Sequence, residues 1–75
     1  MIPLKEGVSI AADTSIFPYG TELIIDGHIY TVQDCGSAIE GNKLDIYFNN
    51  HNDAKEHGIQ YKKVYIQRNE NYEQT

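Results

Sequence analysis

The pair Asp26-Gly27 constrains this chain more than any other two residues. It lies between two β-rich runs, residues 21–25 and 28–33, the second carrying Ile29, Tyr30, Thr31 and Val32. A two-residue type I′ turn needs positive φ at both positions, and its twist matches that of the strands it joins. Asp-Gly meets that demand, so a β-hairpin is expected here. Three further runs read as strands. Residues 8–12 form a short apolar run. Residues 44–48 alternate Leu44, Ile46 and Phe48 with Asp45 and Tyr47, the pattern of a half-buried strand. Residues 61–67 alternate Val64 and Ile66 with Lys63, Tyr65 and Gln67. Between the strands, residues 14–20 hold Pro18 and Gly20 and read as a turn. Residues 35–43 form a loop of small residues whose Ile39 is expected to enter the core. Residues 52–57 suit one or two helical turns, with Asn52 as N-cap and Gly58 as the stop. The sum is a mainly β chain, a small barrel or barrel-like sheet with one short helix.

With 75 residues, the chain makes one domain. A domain this small buries only about 60% of its unfolded surface. Its single cysteine excludes an internal disulfide, and no Cys and His fall at zinc spacing, so neither metal nor other cofactor is expected. A small core without such staples favours barrel closure or assembly with a second chain. The net charge of −5 argues against nucleic acid and anionic membranes, which attract clustered Lys and Arg. No apolar run approaches the roughly 18 residues of a membrane span. Met1-Ile2-Pro3-Leu4-Lys5 lacks the charged start and apolar centre of a secretory signal. That leaves an intracellular protein, one released by a phage-type system, or a piece of a larger protein. The expected organisation is an N-terminal extension over 1–7, the barrel over 8–67, and an acidic flexible tail over 68–75.

Three aspartates, Asp13, Asp34 and Asp45, each sit in or at the end of a short apolar run. Carboxylates avoid such places unless they are paired or used. Asp is depleted in strand interiors, which makes Asp45 the clearest functional candidate. Strand-end aspartates also cap loops by accepting backbone N–H bonds. Asp13, followed by Thr14-Ser15, suits that role as well as a functional one.

The segment Asp34-Cys35-Gly36-Ser37-Ala38-Ile39-Glu40-Gly41-Asn42-Lys43-Leu44-Asp45-Ile46-Tyr47-Phe48 resembles the 3D domain, named for three aspartates. Ile10-Ala11-Ala12-Asp13, Pro18-Tyr19-Gly20-Thr21 and Lys63-Val64-Tyr65-Ile66 resemble its other pieces in order. The resemblance covers residues 8–67. It implies a six-stranded double-psi β-barrel, related to the catalytic region of membrane-bound lytic transglycosylase A. Such an enzyme cleaves between N-acetylmuramic acid and N-acetylglucosamine in peptidoglycan without adding water, leaving a 1,6-anhydro product. It implies Asp45 as acid/base, with Asp34 and Asp13 tuning it or binding sugar hydroxyls. Only one acid/base carboxyl is essential there, whereas a hydrolase uses two at a set separation. Clustered carboxylates are a means of keeping one protonated near neutral pH. Departures from the pattern are Cys35 for Thr, Ser37 for Gly, and Glu40 for Lys. The family strand preceding residues 10–13 has only seven residues to form it here. It is therefore lacking, shortened, or shared with a partner chain, which predicts a homo-oligomer through the N-terminal edge.

Tyr47 shares a strand with Asp45 and is the aromatic candidate for sugar contact; Tyr19, Tyr30 and Tyr61 read as ordinary strand and edge residues. Gly36, Ser37 and Gly41 either let a glycan approach the backbone or serve a tight loop with positive φ. His28, His51 and His57 fall on a turn, a loop and a helix end, and read as surface residues. Cys35 has no evident base beside it and reads as a small buried thiol. Two functions therefore stand: a peptidoglycan-cleaving domain, or a glycan-binding or structural barrel of a phage or cell-wall protein. Either places the chain at the cell wall or outside the cell. A free-standing intracellular oligomer is the third.

Overall fold

The computed structural model describes residues 3–67. Its elements are β1 (Ser9–Ala12), β2 (Glu22–Ile25), β3 (His28–Asp34), β4 (Leu44–Ile46), α1 (His51–His57) and β5 (Val64–Ile66). The five strands form one curled sheet, a half-barrel, in the order β4-β1-β3-β2-β5. The mainly β class with one short helix holds. Five strands stand among the described residues where the resemblance implies six.

The hairpin forms as its sequence requires. Asp26 takes φ 53° and Gly27 φ 78°, the two positive values of a type I′ turn. Ile25 then opposes His28, and Leu23 opposes Tyr30. Lys62 Nζ reaches the Asp26 carboxylate at 2.6 Å, holding the chain ahead of β5 against the turn. As an exposed pair it contributes less than about 1 kcal/mol.

β1 lies in the sheet interior. It runs parallel to β3 and antiparallel to β4. Its inward residues, Ile10 and Ala12, are buried with Leu23, Ile25 and Val32. Phe17, Tyr30, Leu44 and Ile46 pack around this cluster. Burial of each large aliphatic chain stabilises the fold by about 2 kcal/mol.

Several expectations change. Residues 3–7 form no strand: the amides of Val8 and Ser9 both donate to the Lys5 carbonyl, closing a turn. Residues 3–7 therefore present no sheet edge, and the free edges of the described sheet belong to β4 and β5. The last strand is three residues long rather than seven, because its partner β2 offers only four residues. Asn50, not Asn52, caps α1: the Asn50 side chain accepts the Asn52 amide, and Gly58 ends the helix as expected. Asn52 is thus the receiving residue of a cap two positions earlier. Ile39 is half-buried and packs against Gly36 rather than joining the core cluster. Met1, Ile2 and the tail over 68–75 lie outside the described residues.

Candidate active site

A break in regularity builds the site. Ser9 opposes Thr31 and Ile10 opposes Val32, but Ala11 opposes Asp34, so β3 bulges at Gln33. Without the bulge Ala11 would meet Gln33, and Asp34 would fall on the opposite face, because side chains alternate with period two. With it, Asp34 joins the face of Ala11. Asp45 on β4 opposes Ala11 from the other side. Two carboxylates thus flank one alanine, roughly 10 Å apart at Cα by two interstrand steps. The small Ala11 side chain leaves the space between them open.

That space is a cleft of about 190 Å³, lined by Asp34 and Asp45 together with Ser9, Tyr47, Phe48 and Ala54 of α1. Asp45 is exposed, and no hydrogen bond among the described residues reaches its carboxylate. Asp34 is half-buried, and its Oδ1 accepts the Cys35 amide at 2.9 Å. Tyr47 is anchored by its own N–H to the Ser9 carbonyl, and it lines the cleft beside Asp45.

Asp13 lines a second, more open depression of about 760 Å³ with Cys35, Gly36, Ser37, Ile39 and Glu40. Both its oxygens are engaged. Oδ1 accepts the Ser15 hydroxyl at 2.6 Å and the Ser15 amide at 3.1 Å. Oδ2 accepts the Gly41 amide at 2.9 Å. The Ser15 hydroxyl, then the Gly41 and Ser15 amides, hold this carboxyl below its ordinary range. Asp13 thereby fastens the loop between β3 and β4 to the end of β1. Gly41 takes φ 64° in that loop, as a tight crossing requires, whereas Gly36 does not adopt a positive φ.

Cys35 is exposed, not buried. The loop turns outward directly after β3, so the thiol meets the Tyr19 hydroxyl at 3.0 Å instead of the core. That hydrogen bond, the adjoining thiol and the Asp34 charge nearby raise the Tyr19 phenol above its ordinary value. The histidines are mostly peripheral, though the His28 ring donates through Nε2 to the Gly7 carbonyl and stacks at an angle on Tyr30. Sequence reasoning missed Ser9, a fully buried hydroxyl that accepts the Lys5 amide and donates to Gln33 Oε1. An isolated Ser between apolar residues on a short strand is the only signal it leaves. Among the described residues no group of three or more His, Cys, Asp or Glu is placed to hold a metal ion. None of their helices is long and apolar enough to cross a membrane.

A five-stranded β half-barrel with an aspartate pair facing across its interior strand defines a small acidic-cleft domain. The family follows from comparison with known proteins: the chain belongs to the 3D domain family, whose model matches residues 8–68. It is similar to YabE of Bacillus subtilis, named for shaping the cell wall, at 36% identity over 58 residues. The match takes in 76% of this chain and 14% of that protein. It is also similar to the cell wall-binding protein YocH of the same organism, at 35% identity over 51 residues. There the match takes in 67% of this chain and 18% of that protein. The chain therefore spans less than a fifth of the length of these relatives.

Proposed function

We propose that this domain acts on the peptidoglycan glycan strand at the cell wall, as a lytic transglycosylase-like domain. One observation carries the reading: Asp45 presents a carboxylate, without hydrogen-bond partners among the described residues, into a cleft that it shares with Asp34. The names of the two relatives, for shaping and for binding the cell wall, point to the same polymer.

Asp45 is the acid/base. In its protonated form it gives its proton to the glycosidic oxygen as the bond to the muramic C1 breaks. The 6-hydroxyl of the same muramic residue attacks C1 and yields its proton to the carboxylate, regenerating the acid. No water enters, and the product carries a 1,6-anhydro ring. Asp34, which accepts the Cys35 amide, stabilises developing positive charge or accepts a sugar hydroxyl in this reading. Tyr47 offers a ring face beside Asp45, and Gly36 and Ser37 rim the second depression. Asp13, with both oxygens engaged, contributes by holding the Asp34 loop rather than by touching the sugar.

Mass spectrometry of fragments released from purified peptidoglycan tests this. Anhydro-muropeptides are the expected product. Asp45→Asn should lower their release by roughly a hundredfold, the scale of lost general acid–base help. Reducing ends would mean a hydrolase. Binding without release would establish the alternative, a glycan-binding module, which the name of YocH favours.

A further inference from the structure

The cleft has two unlike ends. Ala11 marks the acidic end, between Asp34 and Asp45. β4 then runs antiparallel to β1, from Asp45 past Ile46 toward Ser9, where the Tyr47 amide meets the Ser9 carbonyl. At that end Leu4, Phe48 and Ala54 add an apolar wall beside Ser9 and Tyr47. Phe48 is held there against the His57 ring, with centroids 5.2 Å apart.

Leu4 lies just ahead of the turn that leads into β1, and that turn is fastened at three points. The Lys5 amide donates to the buried Ser9 hydroxyl at 2.8 Å. Glu6 Oε1 accepts the Asn49 amide at 2.9 Å, tying the turn to the chain that follows β4. The His28 ring donates to the Gly7 carbonyl. Leu4 therefore precedes a turn fastened to the body of the domain, and it lines the cleft although the family match begins only at residue 8. Ser9 is a positioning residue: its hydroxyl, braced by Gln33, sets where Leu4 stands.

We propose that this apolar end seats the acetamido methyl of an N-acetylated amino sugar while its ring lies along the two aspartates. The proposal rests on the cell-wall reading above and adds to it the feature of the polymer that is recognised. A pocket of this kind matches a methyl flanked by polar atoms: carbon meets Leu4, Phe48 and Ala54, and hydroxyls meet the carboxylates. Charge alone would give the reverse preference. A de-N-acetylated sugar carries an ammonium, which Asp34 and Asp45 attract. A preference for the acetylated polymer thus isolates the apolar end.

The test measures binding of the full chain to two preparations of purified sacculi, one native and one chemically de-N-acetylated. Wild type should bind the native form roughly tenfold more tightly, the discrimination typical of one apolar group in a fitted pocket. Leu4→Ser should erase the preference with no change in melting temperature, and Leu4→Met should keep it. Ser9→Ala, which frees the turn, should weaken the preference as well. Equal binding of both sacculi by wild type overturns the proposal and leaves the cell-wall reading standing. So does a preference that survives Leu4→Ser. Failure of wild type to bind either form overturns both.

Discussion

Asp13 and Asp45 show how two carboxylates of one chain diverge in use. Asp45 is exposed and accepts no bond from the described residues, whereas Asp13 accepts three. Because its partners lower its pKa below 3.8 in the fold, Asp13 stabilises the native state fully above that value. The contribution is lost as pH falls through the lower, folded-state value. Asp13→Ala should therefore melt below wild type at pH 7, and the gap should narrow below pH 3.8. Thermal melts by circular dichroism across that window decide it; a gap unchanged from pH 7 to pH 3 would rule out the charge as the cause. The residue types alone marked all three aspartates. Which of them meet depends on the bulge in β3, a register between strands more than twenty residues apart, and no local pattern encodes that. The exposure of Cys35 was equally hidden, since a small thiol suits either side of a loop and only the loop's path decides.

At the scale of elements, the hairpin was the most legible part, because Asp26-Gly27 states its requirement within two residues. Gly27→Ala puts a Cβ on a residue at φ 78° and should cost about 1 kcal/mol, read from the urea midpoint. No neighbour lies within 4 Å of that Cβ position, so the cost is backbone strain alone and the fold should survive. The helix was legible in type but shifted at its start. Asn49, Asn50 and Asn52 all carry capping chemistry, and the choice of Asn50 is made by the path of the chain leaving β4. The last strand was overextended because apolar alternation continues through residues 61–67 while hydrogen-bonding partners on β2 do not.

For the whole molecule, the half-barrel leaves β4 and β5 as its two outer strands. A second copy that extended the sheet by strand pairing would meet one of these, since β1 is already flanked on both sides. Every residue of β5 is exposed, with Ile66 at 58%. Lys62 and Lys63 stand just before it, and lysine at an edge discourages further pairing. Lys63→Val should raise self-association on warming, followed by light scattering against the 8.5 kDa of one chain; no difference from wild type would show that this lysine does not guard the edge. The interior place of β1 also governs the order of assembly. Both its neighbours, β3 and β4, come later in the chain. During synthesis, β1 emerges before any strand it pairs with, and its second side stays open until residue 46 has been made. The hairpin, which closes on a microsecond scale, is complete well before then. Among the described strands β1 is made first and gains its second neighbour only with β4, so the cleft does not exist until that pairing has happened; β2 waits longer still, for β5.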